Sequence, residues 1–235
     1  MSMSFGVLLH VVFGAIALLS GVISIAVEKG GKLHRRAGNT YVVTMLVMAI
    51  SGLLLAIKVP VWITVLAGAM TAYLVASAWL TVRRPDDWQV LLERAVFLLG
   101  LAVMLLGAYL SWRAFNGVTD RLGDYVLPAG VYFLFTGIVA LAVALDVRQA
   151  VFGQPKGKHR LLRHLWRMFF PMYVATSSLF SGQQQVFPEA LQGTIYLELP
   201  HTLVLILLVF WLGKVSLGDR VAKWKLQQST ASKAA

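Results

Sequence analysis

Long apolar segments alternate with short polar segments along the whole chain. A helix that crosses a membrane needs about 20 mainly apolar residues, and seven segments meet this requirement. None of them alternates between apolar and polar positions, as the strands of a membrane barrel do. The pattern therefore predicts seven helical spans, at Phe5–Val27, Tyr41–Ile57, Pro60–Val82, Ala95–Phe115, Tyr125–Val147, Leu165–Phe187 and His201–Leu217.

The composition supports a membrane protein. Of the 235 residues, 58% are hydrophobic and 13% are charged, whereas soluble domains carry about 25% charged residues. We predict one all-α integral membrane domain over residues 1–224 and a polar tail over 225–235, which we expect to be disordered. The absence of cysteine excludes disulfides, thiolate-bound metals and a cysteine nucleophile.

The Lys and Arg residues predict how the spans are oriented. Of the 21, 18 fall on the side of the predicted bundle that holds the C-terminus. Because cytoplasmic loops carry the excess of Lys and Arg, we predict an outer N-terminus and a cytoplasmic C-terminus. The basic residues form short runs beside the spans, so we expect them to contact anionic lipid headgroups and not nucleic acid.

Two helical faces carry residues that suit the bundle interior. On the first span, small residues recur at helical spacing together with a histidine, at His10, Gly14, Ala17, Gly21 and Ser24. Such residues let membrane helices approach closely, so His10 should point into the bundle. On the sixth span, a polar stripe predicted to face the interior runs through His164, Arg167, Ser178, Ser181 and Gln185.

The histidines fall at two levels of the predicted membrane. At the outer level, His10 and His201 share their depth with Gln184, Gln185 and Glu198, and these residues are expected to cluster. At the cytoplasmic level, His34, His159 and His164 lie among several arginines. Paired histidines are the axial ligands of haem b in membrane electron-transfer proteins.

The leading hypothesis is therefore a membrane oxidoreductase or electron-transfer protein that carries haem b. His10 would pair with His201 and His34 with His164, with arginines near the haem propionates. One alternative is a small-molecule transporter or binding protein whose cavity is lined by Arg167, Ser178, Ser181, Gln184, Gln185 and Glu198. Further alternatives are an outer metal site of His and Glu, which no recognised motif supports, and an accessory subunit or homo-oligomer in a larger membrane complex.

Two motifs resemble the bacterial multi-pass membrane proteins catalogued as domain of unknown function 2306. They are "HVVFGAIALLSG" followed by "KGGKLHRRAGNTY", and "HRLLRHLWRM" at the start of the sixth span. The resemblance covers the first two spans and part of the sixth. It implies a helical bundle in a bacterial cytoplasmic membrane and brings no established activity. The matching residues are His10, Gly14, Gly21, His34, Arg35, Gly38, Tyr41, His164, Arg167 and Met168.

Overall fold

Helices make up nearly all of the structure. The computed structural model of the protein describes residues 4–83, 87–122 and 125–233. The α-helices within this part of the chain are α1 (Phe5–Ala26), α2 (Lys32–Lys58), α3 (Trp62–Thr81), α4 (Asp87–Phe115), α5 (Ala129–Phe152), α6 (Gly157–Phe180) and α7 (Leu199–Lys233).

Two connections contain short regular elements. Between α4 and α5, β1 (Arg121–Leu122) pairs antiparallel with β2 (Tyr125–Val126). Between α6 and α7, the chain passes through three single 3₁₀ turns, at Gln184–Val186, Glu189–Leu191 and Ile195–Leu197.

The predicted all-α membrane architecture is confirmed. Among the described residues, six of the seven α-helices are long and apolar enough to cross a membrane. The exception is α6, because its first half carries the basic residues of the sixth predicted span. The orientation of the termini and the bacterial inner membrane stay predictions.

The chain forms two compact units. The first, Met1–Gln154, holds α1 to α5, and the second, Pro155–Ala235, holds α6 and α7. In the first unit each helix packs against the next one along the chain, and α3 also contacts α5. In the second unit α6 packs against α7. The single domain predicted over 1–224 stays a prediction.

The last helix is longer than the span predicted for it. It continues to Lys233 and so includes most of the tail predicted over 225–235, whose final two residues lie outside the described part. Disorder of this tail stays a prediction.

The α1–α2 hairpin turns within a few residues. The Lys29 ammonium donates to backbone carbonyls at the end of α1, among them those of Ser24 at 3.3 Å and Val27 at 3.0 Å. A cation suits this position because the last carbonyls of a helix lack partners within the helix. Gly30 takes the left-handed conformation, with φ of 79°, which glycine adopts without steric cost.

The second helix begins at Lys32 and not at Tyr41, where the second span was predicted to begin. The turn between α1 and α2 is short. Most of the basic residues predicted to connect the two spans, Lys32, Arg35 and Arg36, are therefore part of α2. His34 therefore lies in the first turn of α2 and is held by the helix.

The small-residue face of α1, which was predicted to allow a close helix contact, packs against α2. A side chain added at Gly14 would have its Cβ 3.3 Å from the sulfur of Met48. Ala17 and Gly21 are buried on the same face. The close approach of the two helices therefore depends on this face of α1.

The sixth helix ends at Phe180, earlier than the predicted Phe187. The backbone N–H groups of Ser181 and Gly182 both donate to the carbonyl of Ser177, at 2.9 and 3.0 Å. These two bonds close the helix, so the glutamines that follow do not continue the polar stripe of α6. The prediction of a single helical face from His164 to Gln185 is wrong at its outer end.

A carboxylate from a distant loop caps the third helix. The backbone N–H of Ile63 in the first turn of α3 donates to Oδ2 of Asp120, at 2.6 Å. The backbone N–H of Asp120 donates in turn to the Tyr132 hydroxyl, at 2.8 Å. Because first-turn N–H groups have no acceptor within their own helix, these contacts fix the α4–α5 connection against the start of α3.

Candidate functional site

His10 is held on one ring nitrogen by the neighbouring helix. Its Nδ1 donates to the backbone carbonyl of Met48 at 2.9 Å. The ring lies directly over Gly52, where an added Cβ would come 2.7 Å from Cε1 of the imidazole. Only glycine at this position leaves room for the ring.

His34 makes an equivalent contact at the opposite end of the same hairpin. Its Nδ1 donates to the backbone carbonyl of Ser24 at 3.0 Å. Ser24 lies fourteen residues after His10 on α1, which at 1.5 Å per residue puts the two histidines at levels about 21 Å apart. They therefore cannot bind the same metal ion, but each can hold a ligand at its own level.

The Nδ1 contacts determine the chemistry of both rings. A backbone carbonyl only accepts hydrogen bonds, so Nδ1 carries the proton in each neutral imidazole. The proton-free nitrogen is then Nε2, which is the form in which histidine binds a metal. The sequence predicted these two residues as ligands, but their carbonyl partners follow only from the packing of α1 on α2.

His201 is engaged on both of its ring nitrogens. Nε2 lies 3.3 Å from Oε2 of Glu198, and Nδ1 lies 3.4 Å from the hydroxyl of Ser181. The edge of the ring meets Tyr173, with 5.7 Å between ring centroids. As a haem ligand, His201 would have to give up one of these contacts, and its ligand role stays a prediction.

The other predicted residues of α6 do not share one environment. Arg167 is fully buried, His164 is half-buried and Ser178 is exposed. That this stripe faces the bundle interior stays a prediction. The buried surface of α6 is instead set by bulky residues next to Arg167, which are Phe169, Phe170, Pro171 and Met172.

The predicted glutamines stabilise the connection between α6 and α7. The Gln184 side-chain oxygen accepts a hydrogen bond from the backbone N–H of Gly193 at 2.7 Å. Gln185 is exposed and donates to Gln183 at 2.7 Å. These contacts give both glutamines a local role in the loop, and lining of a cavity by them stays a prediction.

A buried acid that the sequence reasoning missed lies within the first unit. The hydroxyl of Tyr73 on α3 donates to Oδ2 of Asp146 on α5, at 2.6 Å. Tyr73 is fully buried, and Asp146 is buried as well. The Tyr73 ring packs against Gly100 of α4, where an added Cβ would be 2.5 Å from Cε2 of the ring. An acid inside a membrane helix usually has a function. The sequence reasoning missed Asp146 because it lies next to the predicted end of its span, at Val147.

Within the described residues, no three His, Asp or Glu side chains come together in a way that would hold a metal ion. The outer metal site proposed from the sequence therefore lacks support here. A haem differs because the porphyrin supplies four of the iron ligands and the protein adds one or two.

Comparisons with known proteins give no relative. No family model, curated protein or solved structure matches the chain. The resemblance carried by His10, His34 and His164 therefore stays a prediction, and function has to be argued from the geometry alone.

Proposed function

We propose that the protein is a membrane electron-transfer protein that holds haem b on its α1–α2 hairpin. His10 and His34 would each supply an axial ligand at one of the two levels. The observation that carries the proposal is the pair of Nδ1 contacts to backbone carbonyls, at 2.9 and 3.0 Å. They orient both rings and leave Nε2 as the ligand nitrogen.

The surroundings of each histidine supply one feature that a haem needs. An apolar groove of about 310 Å³ between α1 and α2 is lined by Leu9, Ser51 and Leu54, among others, and the Ser51 hydroxyl lies 3.5 Å from Nδ1 of His10. Next to His34, the side chains of Arg35 and Arg36 are exposed. Arginine is well suited to pair with the carboxylates of haem propionates.

Each part of the chain has a definite task in this proposal. Bound haem would supply one-electron transfer, and α1 and α2 would hold it at fixed depth in the apolar layer. The two levels would let an electron pass between the faces of the membrane. The proposal uses the first unit alone, so it does not depend on His164 or His201.

Haem content in histidine variants tests the proposal. His10→Ala and His34→Ala should each lower the haem bound per chain by about half, because each removes the axial ligand of one haem. The measurement is haem content relative to protein after purification in mild detergent. His159→Ala is the matched control, since His159 is exposed at the start of α6. Equal haem content in all three variants would contradict the assignment.

Transport is the second candidate function, and the buried pair of Tyr73 and Asp146 favours it. A carboxyl group held inside a membrane helix is the kind of group that binds a proton or a cation in transporters. In that case Asp146→Asn, which preserves shape and removes the charge, should abolish proton or cation uptake by proteoliposomes. Uptake that is the same in this variant and in the parent protein would exclude the role.

A further inference from the structure

Three polar side chains form a hydrogen-bonded series where α6 ends and α7 begins. Ser181 contacts one nitrogen of His201 at 3.4 Å, and Glu198 contacts the other at 3.3 Å. From this geometry we propose that Ser181 is a catalytic nucleophile, with His201 as its general base and Glu198 as a positioning residue. The reaction class is acyl transfer from a carboxylic ester.

The order of the contacts fits this chemistry. The Glu198 carboxylate only accepts, so the neutral imidazole carries its proton on Nε2, which faces Glu198. Nδ1 then has a free electron pair directed at the Ser181 hydroxyl. A nucleophile within reach of a base, with the base oriented by a third group, is the arrangement that activates serine.

The proposed general base is more buried than the carboxylate that positions it, as catalysis requires. The Glu198 side chain is 47% exposed, whereas that of His201 is 12% exposed. The edge of the His201 ring rests against Tyr173, which limits its rotation. Contacts of 3.3 and 3.4 Å are long for hydrogen bonds, but catalytic contacts commonly shorten when substrate binds.

Backbone donors lie close by in the sequence. The first turn of a helix has N–H groups without acceptors inside the helix, and α7 starts at Leu199, two residues before His201. Such groups stabilise the negative oxygen of a tetrahedral intermediate. Pro200 has no N–H, so the donors available in this turn are those of Leu199 and His201.

The surface around the site indicates the substrate class. Large apolar side chains in the connection between α6 and α7 and at the start of α7 are exposed, with Val186 at 63%, Ile195 at 69% and Leu199 at 52%. They lie where the apolar span of α7 begins, at the level of the membrane surface. Exposed apolar groups at this level suit an ester with a long apolar acyl chain, such as a membrane lipid.

The reaction balances without a cofactor. The Ser181 oxygen attacks the ester carbonyl carbon while His201 takes the hydroxyl proton. The tetrahedral intermediate then breaks its bond to the alcohol oxygen, which leaves with the proton from His201. Water attacks the acyl-serine in the same way, releasing the acid and restoring both side chains.

Labelling by an alkyl fluorophosphonate tests the proposal on the full chain in detergent, without added haem. The Ser181 oxygen should displace fluoride and form a phosphonate ester, which peptide mass spectrometry locates. Ser181→Ala should abolish labelling, and His201→Gln should slow it roughly 100-fold because the general base is lost. Ser177→Ala is the matched control and should label like the parent protein.

Variants that remove or keep the charge of Glu198 test its positioning role. Glu198→Gln should slow labelling roughly 10-fold, because the imidazolium loses its partner, and Glu198→Asp should recover part of the rate. Parent protein that labels no faster than Ser181→Ala overturns the proposal. So does a His201→Gln variant that keeps its thermal midpoint and labels at the parent rate. Haem content has no bearing on either result.

Discussion

Replacing Gly100 by alanine is expected to destabilise the first unit by about 3 kcal/mol, the upper end of what overpacking a core usually costs. The added Cβ would lie 2.5 Å from Cε2 and 2.7 Å from Cζ of the Tyr73 ring. Tyr73 is fully buried, so its ring cannot swing aside without displacing other core residues. The shift would also pull its hydroxyl away from Asp146.

Thermal unfolding in mild detergent measures this loss. Gly137→Ala is the control, because Gly137 lies on α5 of the same unit and an added Cβ there meets nothing within 4 Å. That variant should be as stable as the parent protein or slightly more stable, since alanine restricts the unfolded chain. Gly100→Ala and Gly137→Ala unfolding at the same temperature would show that Tyr73 is not fixed by Gly100.

Removal of the Tyr73 hydroxyl is the second large effect. Tyr73→Phe should lower stability by about 1–2 kcal/mol, because a buried carboxyl group loses a donor at 2.6 Å. The same change at Tyr109, whose side chain is 55% exposed, should have little effect. Unfolding of both variants in the same detergent provides the comparison.

A double-mutant cycle isolates the contact between the two side chains. Tyr73→Phe and Asp146→Ala should together cost less than the sum of their separate effects, since each change alone already removes the bond between the two side chains. Fully additive effects would mean that the hydroxyl and the carboxyl group do not interact in the membrane.

The sequence predicts the helices well because length and hydropathy determine whether a segment can cross a membrane. It also predicts that one face of α1 makes a close helix contact, since small residues at helical spacing at Gly14 and Gly21 have few other uses in lipid. That α2 is the partner follows only from the structure. Helix ends are less predictable. The predicted sixth span continues to Phe187, yet two backbone N–H groups that return to Ser177 end the helix at Phe180.

The candidate sites depend on contacts between segments that are far apart in the chain. In the sequence, Asp146 is an acid near the end of a predicted span. Only the structure shows that α3 places the Tyr73 hydroxyl against it. Ser181 and His201 come together only because the loop between α6 and α7 folds back. The sequence around Ser181 and the sequence around His201 do not indicate that the two side chains lie close together.

The visible spectrum of the parent protein tests the central claim most directly. Protein produced with ample haem and purified in mild detergent should show a Soret band, and reduction should sharpen the bands at longer wavelength, as in b-type cytochromes. His10→Ala and His34→Ala should each remove part of this reduced-minus-oxidised signal. A parent protein without haem absorbance under these conditions would contradict the proposal that the α1–α2 hairpin holds haem b.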